Sequence, residues 1–156
     1  MREDEAMSLK SQLQADLTEA MRAKDEIRRS TLRMALTAIT NEEVAGKQSR
    51  ELTDEDVVKV LARELKKRKE AATAFTDAGQ SERADAELAE AQILESYLPA
   101  QLTDAEIAEI VAQAISGLGV TGPQAMGQVM KVVQPTIAGR ADGGRVAAEV
   151  KRQLAS

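Results

Sequence analysis

The stretch Tyr97-Leu98-Pro99-Ala100-Gln101-Leu102-Thr103-Asp104-Ala105-Glu106 decides how this chain of 156 residues is organised. Proline disfavours the helical conformation in the residue before it, so a helix arriving from the N-terminal side stops near Leu98. Ala100-Gln101-Leu102 is a short connection. Thr103-Asp104-Ala105-Glu106 is then a capping box: a hydroxyl positioned for the first free amides of a new helix, and a carboxylate three residues on that reaches back. One helix stops and another starts within ten residues, and the character of the chain changes there. We expect an all-α fold. An N-terminal four-helix bundle-like subdomain spans 8–98, and a smaller three-helix C-terminal subdomain spans 99–156.

Moving back from the joint, a fourth helix from about Glu82 to Tyr97 presents Ala86, Leu88, Ala89, Ile93, Leu94 and Tyr97. The third opens at Thr53, with Asp54, Glu55 and Asp56 in its first turn. It carries Val57, Val58, Leu61, Leu65, Ala72 and Phe75 on one face and ends at Gly79. The second, from about Glu26 to Ala45 with Gly46 as its stop, has apolar residues over a wide arc. Such an arc places it centrally, contacted from two sides. Lys24-Asp25 separates it from a first helix capped by Ser8, with Leu9, Leu13, Leu17, Ala20 and Met21 as its stripe. Residues 1–7 read as a disordered leader, with Met7 as an alternative start.

Moving forward, Ile107, Ile110, Val111, Ala114, Ile115 and Leu118 form the stripe of a fifth helix, stopped by Gly117-Leu118-Gly119. Pro123 suits the first turn of a sixth, bearing Met126, Val129, Met130 and Val133, which Pro135 disturbs or ends. Asp142 caps a seventh with Val146, Ala147, Val150 and Leu154.

Composition agrees with helices throughout. One Phe, one Tyr and no Trp leave little for a sheet, which favours aromatic and β-branched side chains. With no Cys and no His, thiol nucleophiles, imidazole bases and nearly all zinc chemistry are excluded. The missing thiols suit a cytoplasmic protein. No apolar run approaches the roughly 18 residues of a membrane span, and no signal-peptide pattern is visible.

Net charge is −5, so the chain as a whole is not a generic nucleic-acid binder. The distribution is uneven. Residues 121–156 hold Lys131, Arg140, Arg145, Lys151 and Arg152 against only Asp142 and Glu149. These five cations give the C-terminus a modest basic bias. A second, weaker basic ridge combines Lys59, Arg63 and Lys66 on one helical face with Arg28, Arg29 and Arg33 of the second helix. In the run Lys66-Lys67-Arg68-Lys69 the side chains spread around the helix, and Arg68 and Lys69 fall inside the apolar arc. Their stems pack there while their heads reach solvent or a carboxylate.

Catalytic and metal readings are weaker. Asp54, Glu55 and Asp56 are consecutive and point apart on a helix. Glu87 and Glu90 are three apart but lack the histidines of a di-metal site. The serines lie at caps, in helices or at the terminus, and none has a Gly-x-Ser-x-Gly setting. Gly139-Arg140-Ala141-Asp142-Gly143-Gly144 has neither the spacing of a phosphate loop nor a preceding strand. It places Arg140 beside a helix start, where amides favour anions. No cofactor, metal or catalytic residue is expected.

Six segments together resemble the bacterial GatB/YqeY-like proteins, over about Leu9 to Leu154. They are Leu32-Arg33-Met34, Glu51-Leu52-Thr53-Asp54-Glu55, Phe75-Thr76-Asp77-Ala78-Gly79, Tyr97-Leu98-Pro99-Ala100-Gln101-Leu102, Met126-Gly127-Gln128-Val129-Met130 and Gly139-Arg140-Ala141-Asp142-Gly143. The resemblance implies a helical N-terminal bundle and a small C-terminal domain similar to the tail of the B subunit of glutamyl/aspartyl-tRNA amidotransferase, which helps hold the tRNA. It implies an accessory role, with tRNA and an amidotransferase or other translation-related protein as partners and with Lys131, Arg140, Arg145, Lys151 and Arg152 as the candidate RNA contacts, while the residues themselves offer no catalytic group. The alternatives are a helical protein–protein adaptor, or a carbon–nitrogen ligase using glutamine as amido donor. The last label attaches to the shared domain, because the subunit's large catalytic part has no counterpart in this sequence.

Overall fold

A computed structural model describes residues 8–156; the expected leader lies outside the described residues. Seven α-helices form, with no strand among the described residues. They are α1 (Leu9–Arg22), α2 (Glu26–Glu43), α3 (Asp54–Asp77), α4 (Ser81–Glu95), α5 (Asp104–Leu118), α6 (Met126–Ile137) and α7 (Gly143–Leu154). A single 3-10 turn, Pro123–Ala125, leads into α6. The chain divides into two compact units between Leu98 and Pro99.

In the first unit, α2 packs against α1, α3 and α4, the central placement its wide apolar arc requires. Leu13, Leu32, Ala35, Ile39, Val57, Leu61 and Leu94 are the heart of the core. Leu52, from the connection before α3, plugs its edge. The helix ends follow local chemistry. Ser8 and Asp25 accept from the amides of Ser11 and Arg28. Thr53 forms a full capping box with Asp56. At the α3–α4 turn the amide of Gln80 bonds to the carbonyl of Phe75, and that of Gly79 to Thr76. This Schellman stop needs the left-handed backbone that Gly79 adopts at φ 75°. The α1–α2 turn uses the same bonds, Asp25 to Ala20 and Lys24 to Met21, with Lys24 at φ 58° in the glycine position.

The fourth helix buries only part of its expected stripe: Leu94 is in the core, with Ile93 and Tyr97 packed against it, while earlier positions turn outward. Leu88 is 46% exposed and Ala86 is exposed. The packed side carries Ala84, Glu87, Ala91 and Leu94. The charge of Glu87 is met from α3 by Arg68, 3.6 Å away, which also reaches Glu90 at 3.5 Å. Lys69 pairs with Glu95 at 2.9 Å. Arg68 thus buries its stem and reaches carboxylate, as its place in the apolar arc predicts, whereas Lys69 reaches its carboxylate from an exposed position.

In the second unit α5, α6 and α7 pack on one another around Val111, Val129, Val133, Val146 and Val150. Thr103 and Glu106 form the expected capping box, and Asp142 caps α7. Two boundaries differ from expectation. Pro123 opens the 3-10 turn, with α6 proper starting at Met126. Pro135 neither ends nor breaks α6, which runs on to Ile137. The proline removes one donor, the amide that would bond to the carbonyl of Lys131, while Val133 and Ile137 stay buried on either side and keep the turn in place.

Candidate nucleic-acid interface

The five cations of the second unit do not form a single patch of free charge. Arg140 turns back on its own unit: its Nε donates to the carbonyl of Ala100 at 3.2 Å and its Nη1 to that of Thr136 at 3.4 Å. Its backbone carbonyl accepts from the Leu102 amide at 2.7 Å. Arg145 Nη2 donates to Asp104 Oδ1 at 2.6 Å and to the Leu102 carbonyl at 3.4 Å. With Gln101 Nε2 bonded to the Gly139 carbonyl at 2.9 Å, these contacts fasten residues 100–104 to the α6–α7 turn. The carboxyl of Glu106 is held below its usual range, chiefly by the Thr103 amide and then its hydroxyl, with the Arg140 charge adding to this. Arg152 grips Glu149 in a bidentate pair, at 3.0 and 2.6 Å.

Lys131 and Lys151 remain. Both are exposed, and neither makes a hydrogen bond or ion pair among the described residues. Lys131 lies mid-α6 and Lys151 in the last turn of α7. Of the positive charge that residues 121–156 carry, these two ammonium groups are the part left for an outside anion.

The ridge expected in the first unit is divided. Lys59, Arg63 and Lys66 are all exposed along α3, with Arg63 bonded to Glu42 of α2 at 3.1 Å. Arg33 instead lies against the sulfur of Met21 on α1. Arg33 and Glu42 are nine residues apart, and at about 100° per residue that places them on opposite flanks of α2. Arg29, one turn before Arg33, pairs with Glu26. Arg28 is drawn to Asp16, 3.7 Å away. The α2 cations and the α3 cations therefore face different ways.

The acidic groups have structural work. Asp54 Oδ1 accepts from the Leu9 amide at 3.0 Å, joining the starts of α1 and α3. Asp56 completes a cap, and Glu87 and Glu90 hold Arg68. Among the described residues no group of three or more acids is arranged to hold a metal ion.

One cluster escaped sequence reasoning. The hydroxyl of Tyr97 donates to Asp16 and accepts from Arg28 Nη2 at 3.1 Å, so α1, α2 and the chain leaving α4 meet at one half-buried point. The signal available was the lone tyrosine of an almost aromatic-free chain. Its partners, 81 and 69 residues away, were not legible.

The sequence model of the family described as "Yqey-like protein" matches residues 10–154. A protein of Pyrenophora tritici-repentis named "Altered inheritance of mitochondria protein 41, mitochondrial" is 31% identical over 133 residues, covering 83% of this chain and 71% of that protein. Its namesake in Clavispora lusitaniae is 32% identical over 91 residues, 58% of this chain and 52% of the relative. An uncharacterized protein of Schizosaccharomyces pombe is 33% identical over 93 residues, 59% of this chain and 73% of its own length. These relatives are fungal, where the resemblance suggests bacteria. Among the described residues no helix is long and apolar enough to cross a membrane.

Proposed function

We propose, since this chain belongs to the Yqey-like protein family, that it is a non-catalytic accessory protein whose C-terminal unit holds tRNA in support of a tRNA-dependent amidotransferase or another translation-related protein. The observation that carries this reading is the charge left over after local pairing. Residues 121–156 hold five cations against two acids, and Lys131 and Lys151 have no partner among the described residues. The similarity of this unit to an amidotransferase tail supplies the kind of RNA. Two ammonium groups give weak, salt-sensitive attachment to phosphates. With one Phe and one Tyr in the whole chain, base stacking contributes little, so shape rather than sequence is read. The cytoplasm, suggested by the cysteine-free composition, belongs to this proposal and differs from the compartment in the fungal relatives' names.

The test is titration of labelled bulk tRNA at several salt concentrations. Replacing Lys131 and Lys151 together by Ala should weaken binding and lower the salt dependence by about one unit per lysine. Arg140 and Arg145 are poor probes, because removing them frees residues 100–104 as well as a charge. A double variant that binds as tightly as the parent at every salt concentration defeats the reading. Glutaminase turnover that survives stringent purification would overturn its non-catalytic half.

A further inference from the structure

Five of the six segments that carry the family resemblance have an internal task in this fold. Leu32 is fully buried, and Arg33 lies on Met21. Thr53 caps α3, and Gly79 closes the α3–α4 turn. Tyr97 ties α1 and α2 to the chain leaving α4. Gly139 and Arg140 hold the connection at residues 100–102. The sixth, Met126-Gly127-Gln128-Val129-Met130, is divided. Val129 is in the core, but Gly127 and Gln128 face outward and contact nothing that would explain them.

Gly127 is the sharper case. Its backbone is helical, it is exposed, and a Cβ built on it meets no atom within 4 Å. Glycine there lowers helix stability relative to alanine and gains no internal packing. Gly117 and Gly143 are also open, but they stand where a helix is ending or beginning. Gly127 is the second residue of α6, but the 3-10 turn Pro123–Ala125 leads directly into that helix, so the backbone is helical on both sides of it. Gln128, Lys131 and Pro135 follow at steps of three and four, all exposed, on the side away from Val129, Val133 and Ile137. Lys131 is the only charged residue of α6.

This face has one unpaired cation, amide hydrogen-bonding groups, a spot without a side chain, and no carboxylate. Protein interfaces need buried anchors such as Trp, Tyr, Arg or large aliphatics, and Val132 at the margin is the largest apolar group offered. Phosphate and sugar contacts need a cation and amides at close range. We infer that the outward face of α6, formed by Gln128, Lys131 and Pro135 with Gly127 at its edge, is the surface on which an RNA sugar–phosphate backbone lies. This rests on the reading of the C-terminal unit as RNA-holding.

The experiment uses the full chain, labelled bulk tRNA and a graded series at position 127. Gly127→Ala and Gly127→Leu should leave the melting temperature unchanged or raise it. Binding should weaken on the order of fivefold for Ala and more for Leu, as the added side chain holds the backbone off. Gln128→Ala should also weaken binding, while Lys59→Ala in the first unit should not. If the parent binds tRNA and the position 127 series binds equally well, the α6 face is the wrong surface and the RNA reading stands. If the parent does not bind tRNA, both fall. A photo-crosslinking amino acid at position 128, used in cell extract, should yield RNA adducts. A protein adduct without RNA would overturn the inference in favour of a protein partner.

Discussion

Lys24 works against its own backbone. The α1–α2 turn and the α3–α4 turn use the same pair of hydrogen bonds, yet one has glycine at the left-handed position and the other lysine. A side chain at that φ costs about 1 kcal/mol. Lys24→Gly should therefore stabilise the protein by up to about 1 kcal/mol, read as a higher melting temperature, less what glycine gains in the unfolded chain. Destabilisation would mean that the lysine side chain has a role the turn geometry does not reveal. At Tyr97, burial first and the bond to Asp16 second push the phenol above its ordinary range, while Arg28 opposes the shift. A group with a raised folded pKa stabilises fully below its unfolded value, about 10 for tyrosine. That contribution is lost as pH rises through the folded one. Tyrosinate absorbance, clean in a chain with one Tyr and no Trp, should appear later than in unfolded protein and together with loss of helix. Tyr97→Phe should cost about 1–2 kcal/mol, since both partners lose a hydrogen bond.

Among the elements, those with strong local signals were legible. Thr53 and Thr103 mark their helix starts because a hydroxyl and a carboxylate three residues on act within one turn. In the fourth helix the expected stripe holds at Ile93, Leu94 and Tyr97 but not at Ala86 and Leu88, which are exposed, because the packed side also takes in Glu87. That side depends on Arg68, a residue of another helix. The consequence is measurable. Leu88→Lys should change stability by less than about 0.5 kcal/mol, whereas Ala91→Leu should cost about 1–3 kcal/mol by overfilling a closed site. The opposite ranking in chemical denaturation would restore the face that the aliphatic residues suggest. Pro135 shows the same limit: a proline signals a lost bond, but whether the helix stops depends on what its flanking residues are packed against.

At the scale of the whole molecule, the absence of histidine and the placement of the carboxylates set the pH response. Glu43 is held below its usual range chiefly by its hydrogen bond from Lys10, Asp56 and Glu106 by their capping threonines, and Glu149 by Arg152. Carboxylates with lowered folded pKa values stabilise fully above their unfolded range, near 4. They lose that contribution as pH falls through the folded values. Denaturation midpoints should be flat from about pH 6 to 8, where no side chain with an ordinary pKa titrates. They should fall in acid. A transition centred near neutrality would contradict this. By itself the sequence determined the helices, most of their inward stripes and the break at Pro99, because caps, prolines and 3.6-residue periodicity act over a few neighbouring residues. Which cations are free was decided only by tertiary structure. Arg145 meets Asp104 across 41 residues, Arg140 meets Ala100 across 40, and Arg68 meets Glu90 across 22. Such pairings depend on how helices pack, and no local pattern encodes them.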